Sequence, residues 1–154
     1  GVFMLYWTEY LSPVGKLWLT ADEHALKAVS LTCARSGIRE ETPLLIEALR
    51  QLDAYFAGTR TYFEIPLAPE GTAFQKRVWE ALREIPYGET RTYGQIAQRV
   101  GSEKGFRAVG MANHRNPIMI LIPCHRVIGA DGSLTGYAGG LAVKEKLLRL
   151  EGAL

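Results

Sequence analysis

A change of residue pattern at Ala68-Pro69-Glu70-Gly71 constrains the fold of this 154-residue chain more than any other feature. Before it, three segments rich in Val, Leu, Tyr, Trp and Thr are separated by turn-forming residues and predict β-strands over residues 2–10, 16–21 and 26–32. After it, apolar residues recur at helical spacing. A linker containing Pro and Gly between two such patterns predicts two lobes.

The predicted lobes cover residues 1–68 and 69–154. Pro43–Phe56 predicts a helix in the first lobe, because its apolar residues share one face and Pro suits a first helical turn. The first lobe is therefore a small sheet-plus-helix unit. The second lobe is predicted to be mostly helical and to end with a helix over Leu141–Leu150. The predicted fold class is α/β.

Two short helices in the second lobe have the outline of a helix-turn-helix. Thr92 is placed to cap a helix over Tyr93–Val100, Gly101-Ser102 forms a break, and a second helix follows over Lys104–Asn113. Upstream, Thr72 and Gln75 form a capping box at the start of another helix. From the residues alone, two core helices with solvated arginines remain an alternative to a DNA-binding pair.

Charge is unevenly distributed between the two lobes. Residues 1–70 contain 6 Lys and Arg against 9 Asp and Glu, whereas residues 71–154 contain 12 against 7. The basic second part is typical of a surface that faces an anion such as nucleic acid. We find no apolar run long enough to span a membrane and no secretory signal, so we expect a cytoplasmic, nucleoid-associated protein.

The stretch Ile120–Gly129 places a cysteine, a histidine and an arginine after an apolar run that ends in proline. The run predicts a buried strand, and Cys124 next to His125 suggests a nucleophile and a base. Adjacent residues on a strand point to opposite faces, however. A turn directly after Pro123 would remove that conflict.

These residues resemble the active-site motif of the O6-alkylguanine-DNA alkyltransferases. The motif itself is Ile122–Val127. The resemblance covers about residues 72–152 and extends through Tyr87–Thr90, Tyr93, Arg107–Gly110, Asn116-Pro117 and Thr135–Leu141. The first lobe resembles that family's ribonuclease-H-like domain in outline. The resemblance implies single-turnover transfer of an alkyl group from O6-alkylguanine in DNA, with O4-alkylthymine as a further substrate, to a cysteine of the protein.

The resemblance also implies roles for individual residues. Cys124 is the alkyl acceptor, His125 is its base through a bridging water, and Glu145 orients the histidine. Tyr93 donates a hydrogen bond to the extruded guanine, and Asn116 braces the turn that carries the cysteine. A thiolate suits attack on an alkyl carbon, but a free thiol is mostly protonated at neutral pH, so a base is needed.

Contacts with the base and the duplex are implied in the same way. The Val127 carbonyl reads the guanine amino group, and Tyr137 and Ala138 cover the base pocket. Arg107 enters the duplex where the nucleotide is extruded. The remaining DNA-binding residues are two basic ones and three small ones that allow close approach in the minor groove: Arg115, Arg126, Ala108, Gly110 and Ala112.

The expected partner is double-stranded DNA that carries alkylated bases, bound by a protein that is monomeric in solution and clusters cooperatively on DNA. We expect no cofactor, no membrane and no metal, because Cys33 and His24 are the only candidate ligands in the first lobe. Two alternatives remain. A non-catalytic helix-turn-helix regulator explains Arg107 but not the Cys-His pair, and a cysteine hydrolase explains the pair but not the basic helices.

Overall fold

The computed structural model describes residues 3–102 and 105–154. Those before residue 71 form one compact unit, and those from Gly71 to Leu154 form the other. The structure is an α/β fold with a sheet unit and a mostly helical unit, as predicted. Residue 2 of the first predicted strand and Lys104 of the second helix-turn-helix element lie outside the described residues. No helix of the described residues is long and apolar enough to cross a membrane.

The first unit is a four-stranded sheet with one helix packed against it. Strand β1 (Tyr6–Ser12) pairs antiparallel with β2 (Gly15–Ala21), and β2 pairs antiparallel with β3 (Leu26–Ser30). A short β4 (Ile38–Arg39) adds parallel to β1, which gives the order β3-β2-β1-β4. Helix α1 runs over Pro43–Phe56 and buries its apolar face against β1 and β2.

Strand β4 was not predicted from the sequence, because its pairing with β1 depends on one glycine and its two residues show no strand-like pattern. Gly37 has φ of 88°, and a Cβ atom at this position would lie 2.0 Å from the Leu5 carbonyl oxygen. The Ile38 amide donates to that same carbonyl at 3.0 Å. Glycine is therefore required where the chain approaches the edge of the sheet.

The second unit begins with helix α2 (Ala73–Arg83) and continues with α3 (Tyr93–Val100) and α4 (Gly105–His114). Thr72 and Thr92 form capping boxes with Gln75 and Gln95, as the spacing predicts for the first pair. Gly101 ends α3 in the left-handed conformation. The unit closes with helix α5 (Leu141–Leu150).

Two further strands and one short turn position the Cys-His segment. Strand β5 (Arg91–Thr92), directly before α3, pairs in parallel with β6 (Val127–Ile128). Cys124–Arg126 form a single 3₁₀ turn immediately before β6. The start of the helix-turn-helix and the segment after Cys124 are thus hydrogen-bonded to each other, which holds α3 beside the candidate site.

Trp79 links α2 to α4 through a buried hydrogen bond. Its indole N–H donates to the Ala112 carbonyl at 2.8 Å, and the side chain is 2% exposed. We expect Trp79→Phe to lower the free energy of unfolding by about 1–3 kcal/mol, because a buried carbonyl loses its donor. Denaturant unfolding measures this. Glu80→Ala on the exposed side of α2 is the control, expected within about 0.5 kcal/mol of the parent protein; equal losses in both variants would contradict the interpretation.

Candidate functional site

The apolar run before Cys124 is buried but is not the strand that the sequence predicts. Ile118–Ile122 turn back on themselves, with the Ile122 amide donating to the Ile118 carbonyl at 3.0 Å. Ile120 has φ of 72°, a left-handed conformation that is rare for a β-branched residue and costs about 1–3 kcal/mol. The turn allows consecutive apolar side chains to be buried together, which a strand with alternating faces does not.

Asn116 holds this turn in place. Its amide nitrogen donates to the Ile122 carbonyl at 2.8 Å, and its amide oxygen accepts from the Ile118 amide at 3.0 Å. The chain then passes Pro123 into the 3₁₀ turn that contains Cys124 and His125. A turn directly after Pro123, which would remove the conflict between adjacent residues on a strand, is therefore present.

His125 is completely buried and forms a hydrogen bond with a carboxylate that the sequence analysis missed. Its Nε2 lies 2.7 Å from Glu151 Oε2. The same carboxylate accepts from Arg126 Nε at 2.7 Å and from Arg126 Nη2 at 3.0 Å. Arg126 also donates from Nη1 to the Ile85 carbonyl at 2.7 Å. One buried carboxylate thus orients two consecutive residues of the 3₁₀ turn.

The hydrogen bond to Glu151 defines which nitrogen of His125 can accept a proton. Because Nε2 faces a carboxylate, it carries the hydrogen, and Nδ1 presents its lone pair. Nδ1 is buried and has no hydrogen-bond partner among the described residues. Burial lowers the pKa of His125. The hydrogen bond and the charge of Glu151 act in the opposite direction, but the net shift is downward, with smaller contributions from Arg126 and Lys144. The imidazole is therefore neutral near pH 7 and able to act as a base.

The prediction that Glu145 orients His125 is wrong. The Glu145 side chain is 47% exposed and accepts from Arg149 at 2.9 Å, one helical turn away. The buried face of α5 contains Lys144, Leu147 and Leu148, and Glu151 follows at the same helical spacing. The spacing of the two leucines indicates that Lys144 and Glu151 lie on the buried side, but it does not identify the partner of either charge.

The prediction that Arg126 contacts DNA is also wrong. Arg126 is 7% exposed, and its guanidinium donates hydrogen bonds to Glu151 and to the Ile85 carbonyl. A buried carboxylate requires a cation or several donors beside it, and Arg126 supplies both. Arg126 therefore has a structural role within this unit.

Cys124 is buried, with 6% exposure, and its surroundings have opposing effects on the pKa of its thiol. Burial raises the pKa of Cys124. A hydrogen bond from the Asn116 side chain, the nearby ammonium of Lys144 and the Tyr137 hydroxyl all favour the thiolate. The side-chain amide of Asn113 also donates, from Nδ2, to the Cys124 carbonyl at 3.3 Å. Ionisation is thus held back by burial and assisted by neighbours.

Lys144 is a second residue that the sequence analysis missed. Its side chain is completely buried, and Nζ donates to the Val127 carbonyl at 2.5 Å and to the Thr135 carbonyl at 2.8 Å. Burial lowers the pKa of Lys144 to about 8, although the negative charge of Cys124 acts in the opposite direction. The Val127 carbonyl, expected to read guanine, is therefore already paired with an ammonium.

Thr135–Ala138 lie over Cys124. The Tyr93 hydroxyl donates to the Thr135 carbonyl at 3.0 Å, so Tyr93 and Lys144 hold the same peptide group. Tyr137 is buried, and its pKa is raised well above the ordinary value by burial and by Cys124. Ala138 is exposed. The segment thus covers the thiol with Tyr137 and presents Ala138 to solvent.

The exposed face of α4 differs from the prediction of a small-residue face. Ala112 is buried, 2% exposed, beneath Trp79, and Ala108 and Gly110 are half-buried. The side chains that point outward are large or basic: Phe106, Arg107, Met111, His114 and Arg115. Four of these, all but Arg115, line an open cavity of about 870 Å³ whose lining also includes Tyr93 and Thr135.

Cys33 and His24, the candidate metal ligands of the first lobe, do not form a metal site among the described residues. In the parts of the chain that the structure describes, no group of three or more His, Cys, Asp or Glu side chains is placed to hold a metal ion. Cys33 is exposed, and the His24 ring packs edge-on against Phe3.

Comparison with known proteins identifies what this chain is similar to. Residues 5–69 match the family model described as 6-O-methylguanine DNA methyltransferase, ribonuclease-like domain. Residues 73–153 match that of the 6-O-methylguanine DNA methyltransferase, DNA binding domain. The two matches together cover nearly the whole chain.

Individual relatives agree with the family models. A methylated-DNA–protein-cysteine methyltransferase of Methanosarcina acetivorans is 55% identical, over 97% of this chain and 99% of that protein. A constitutive one of Bacillus subtilis is 45% identical, over 96% of each chain. A crystal structure of Mycobacterium tuberculosis OGT in complex with DNA superposes with a TM-score of 0.89 at 46% identity, covering 96% of this chain and 93% of that one.

The shared carboxylate makes a testable contribution to stability. Although burial opposes it, hydrogen bonds from His125 and Arg126 lower the pKa of Glu151 to about 2, from an ordinary value of 4.5. This stabilisation is complete above pH 4.5 and is lost as the pH falls towards 2. We expect Glu151→Gln to lower the free energy of unfolding at pH 7 by about 3–5 kcal/mol and to flatten its decline between pH 5 and pH 2.5.

Glu145→Gln, on the preceding helix, is the matched control. Its exposed i,i+4 pair with Arg149 contributes about 0.3–0.5 kcal/mol, so its unfolding curve should follow that of the parent protein at each pH. Denaturant titrations across this pH range measure both variants. A loss in Glu145→Gln that matched the loss in Glu151→Gln would contradict the assignment.

Proposed function

The chain belongs to the 6-O-methylguanine-DNA methyltransferase family, which repairs DNA by moving an alkyl group onto a cysteine, and on this premise we propose that Cys124 is the acceptor. The observation that carries the proposal is the pairing of a buried thiol with a neutral histidine in one 3₁₀ turn. His125 is held by Glu151 at Nε2, and its lone pair at Nδ1 is available. That arrangement prepares a thiolate.

The proposed reaction begins with the transfer of the Cys124 proton to Nδ1 of His125 through a bridging water. The thiolate then attacks the alkyl carbon of O6-alkylguanine. The S–C bond forms while the C–O6 bond breaks, and the electron pair of that bond moves onto the guanine. The product guanine takes up a proton at N1 from solvent, and His125 releases the former thiol proton to solvent, so the two proton transfers balance. Because the thioether is stable, each molecule reacts once.

Glu151 replaces Glu145 as the residue that orients the base. A carboxylate at 2.7 Å holds the Nε2–H tautomer and stabilises the imidazolium that forms when His125 takes up the proton. Arg126 keeps this carboxylate ionised through two hydrogen bonds. The assignment gives the buried pair of Glu151 and Arg126 a chemical purpose besides packing.

Access to Cys124 requires the Thr135–Ala138 segment to move. The thiol is buried, and the Tyr93 hydroxyl is occupied by the Thr135 carbonyl at 3.0 Å. An extruded base would take the place of that carbonyl and accept the Tyr93 hydrogen bond, which offsets the negative charge on the leaving guanine. Val127 contributes its carbonyl, which has a second lone pair beyond the one that Lys144 uses.

Double-stranded DNA is the partner, and alkylated bases in it are the proposed target. Arg107 and Arg115 are exposed on and just after α4 and suit contact with phosphates or insertion into the duplex. Half-buried Ala108 and Gly110 leave room beside Arg107. A protein that is monomeric in solution and clusters cooperatively on DNA, with lobes at residues 1–68 and 69–154, completes the proposal.

Intact-mass measurement tests the acceptor directly. Incubation with a duplex that contains O6-methylguanine should add one methyl group per protein, on the peptide that carries Cys124. Cys124→Ser should gain none, whereas Cys33→Ser, which removes the exposed cysteine, should react as the parent protein does. Repeated turnover would instead support a cysteine hydrolase, and tight binding without a mass change would support a non-catalytic regulator.

Lys144 is expected to assist ionisation of the thiol. We expect Lys144→Met to raise the pKa of Cys124 further and to slow alkylation at pH 7 by about tenfold, because the buried ammonium favours the thiolate. The loss should shrink as the pH rises and the thiol ionises without help.

The control for this variant is Lys146→Met, which removes an exposed cation from the same helix. Single-turnover rates from pH 6 to pH 9 measure the effect. A loss in Lys144→Met that stays constant across this range would indicate a purely structural role and would contradict the electrostatic one.

A further inference from the structure

The exposed face of α4 contains two large apolar side chains that nothing in the described chain covers. Phe106 is 59% exposed and Met111 is 60% exposed. With Arg107, Gly110 and His114 they follow the spacing i, i+1, i+4, i+5 and i+8, which places them along one side of the helix. Clustered apolar side chains on a surface otherwise rimmed by polar groups mark an interaction site.

The charges around this patch indicate the kind of partner. Arg107, His114 and Arg115 are exposed beside Phe106 and Met111. Helices α3 and α4, over Tyr93–Val100 and Gly105–His114, contain no Asp or Glu. An apolar protein surface would not require the two exposed arginines, whereas a polyanion with flat aromatic faces would use both the arginines and the apolar side chains. Nucleic acid has that combination.

Phe106 lies next to the residue that is proposed to enter the duplex. It directly precedes Arg107, and both line the cavity that Tyr93 and Thr135 also line. A nucleotide that leaves the duplex for this cavity leaves unstacked neighbours behind. Proteins that deform the minor groove commonly insert an apolar wedge at such a step. Phe106 is the aromatic ring closest in sequence to the residue proposed to fill the gap.

We propose that Phe106 is a stacking wedge, which packs its ring on a base next to the extruded nucleotide while Met111 packs on the adjacent deoxyribose. This inference rests on the proposed function, since it requires a duplex from which a base is extruded. Arg107 then supplies charge and fills the gap, and Phe106 supplies stacking. The two neighbouring side chains are expected to differ in how salt affects their contribution.

The experiment compares four proteins on duplex O6-methylguanine and on free O6-benzylguanine: the parent, Phe106→Ala, Phe106→Trp and Phe3→Ala. Phe3 is 55% exposed in the other unit and is the matched control. We expect Phe106→Ala to lower the ratio of the duplex rate to the free-base rate about tenfold, the size of one lost stacking contact. Phe106→Trp should preserve the ratio, and Phe3→Ala should match the parent.

Salt titration separates stacking from charge. Phe106→Ala should weaken duplex binding without changing the slope of log K against log salt concentration, whereas Arg107→Ala should reduce that slope by about one. A 2-aminopurine placed beside the lesion should show a smaller change in emission with Phe106→Ala than with the parent, because a stacking ring is missing.

The outcomes are distinguishable. If the parent protein does not methylate Cys124, the proposed function fails, and the wedge fails with it. If the parent is methylated but Phe106→Ala retains the parent's ratio of rates and its duplex affinity, only the wedge is overturned, and the patch serves an apolar protein partner instead. A Phe106→Trp variant as poor as Phe106→Ala would also overturn stacking.

Discussion

The buried carboxylate of Glu151 is the interaction on which the rest of the second unit depends. It lies just after α5 and binds two consecutive residues of the 3₁₀ turn, His125 and Arg126. Arg126 in turn donates to the Ile85 carbonyl after α2. A single charge therefore connects the last helix, the turn with the thiol and the end of the first helix of the unit. Removing one member would leave an uncompensated buried charge, which is far more costly than losing an exposed ion pair.

Lys144 is a second buried charge beside the same turn. Lys144 donates to the Val127 and Thr135 carbonyls, so it joins the segment after the thiol to the segment that covers it. Cys124 thus lies between the carboxylate network that holds His125 and an ammonium that favours the thiolate. In the reaction that we propose, this arrangement lets a buried thiol react although burial raises its pKa. It also explains why the covering segment is held closed by polar contacts that a base could replace.

The sequence predicted most features that depend on neighbours along the chain. The Thr72 capping box, the proline at the start of α1 and the glycine that ends α3 act within one or two helical turns, and all were found as expected. Errors occurred where burial overrode local pattern. The apolar run before Cys124 was predicted as a strand, but a left-handed Ile120 turns it into a coil that buries adjacent side chains together. Ala112 was placed on the outer face of α4 although Trp79 covers it.

By itself, the sequence determined the two-part α/β architecture, the helix pair and the chemical types at the Cys-His turn, because helix caps, turns and periodicity are local properties. Only the tertiary structure decided which carboxylate meets His125. Glu145 and Glu151 lie six residues apart on the same segment, and nothing in residue type distinguishes them. The rotation of α5 does: it buries Lys144, Leu147, Leu148 and Glu151 and leaves Glu145 beside Arg149 in solvent. Packing of that apolar face sets the rotation, and the partners of every charge follow from it.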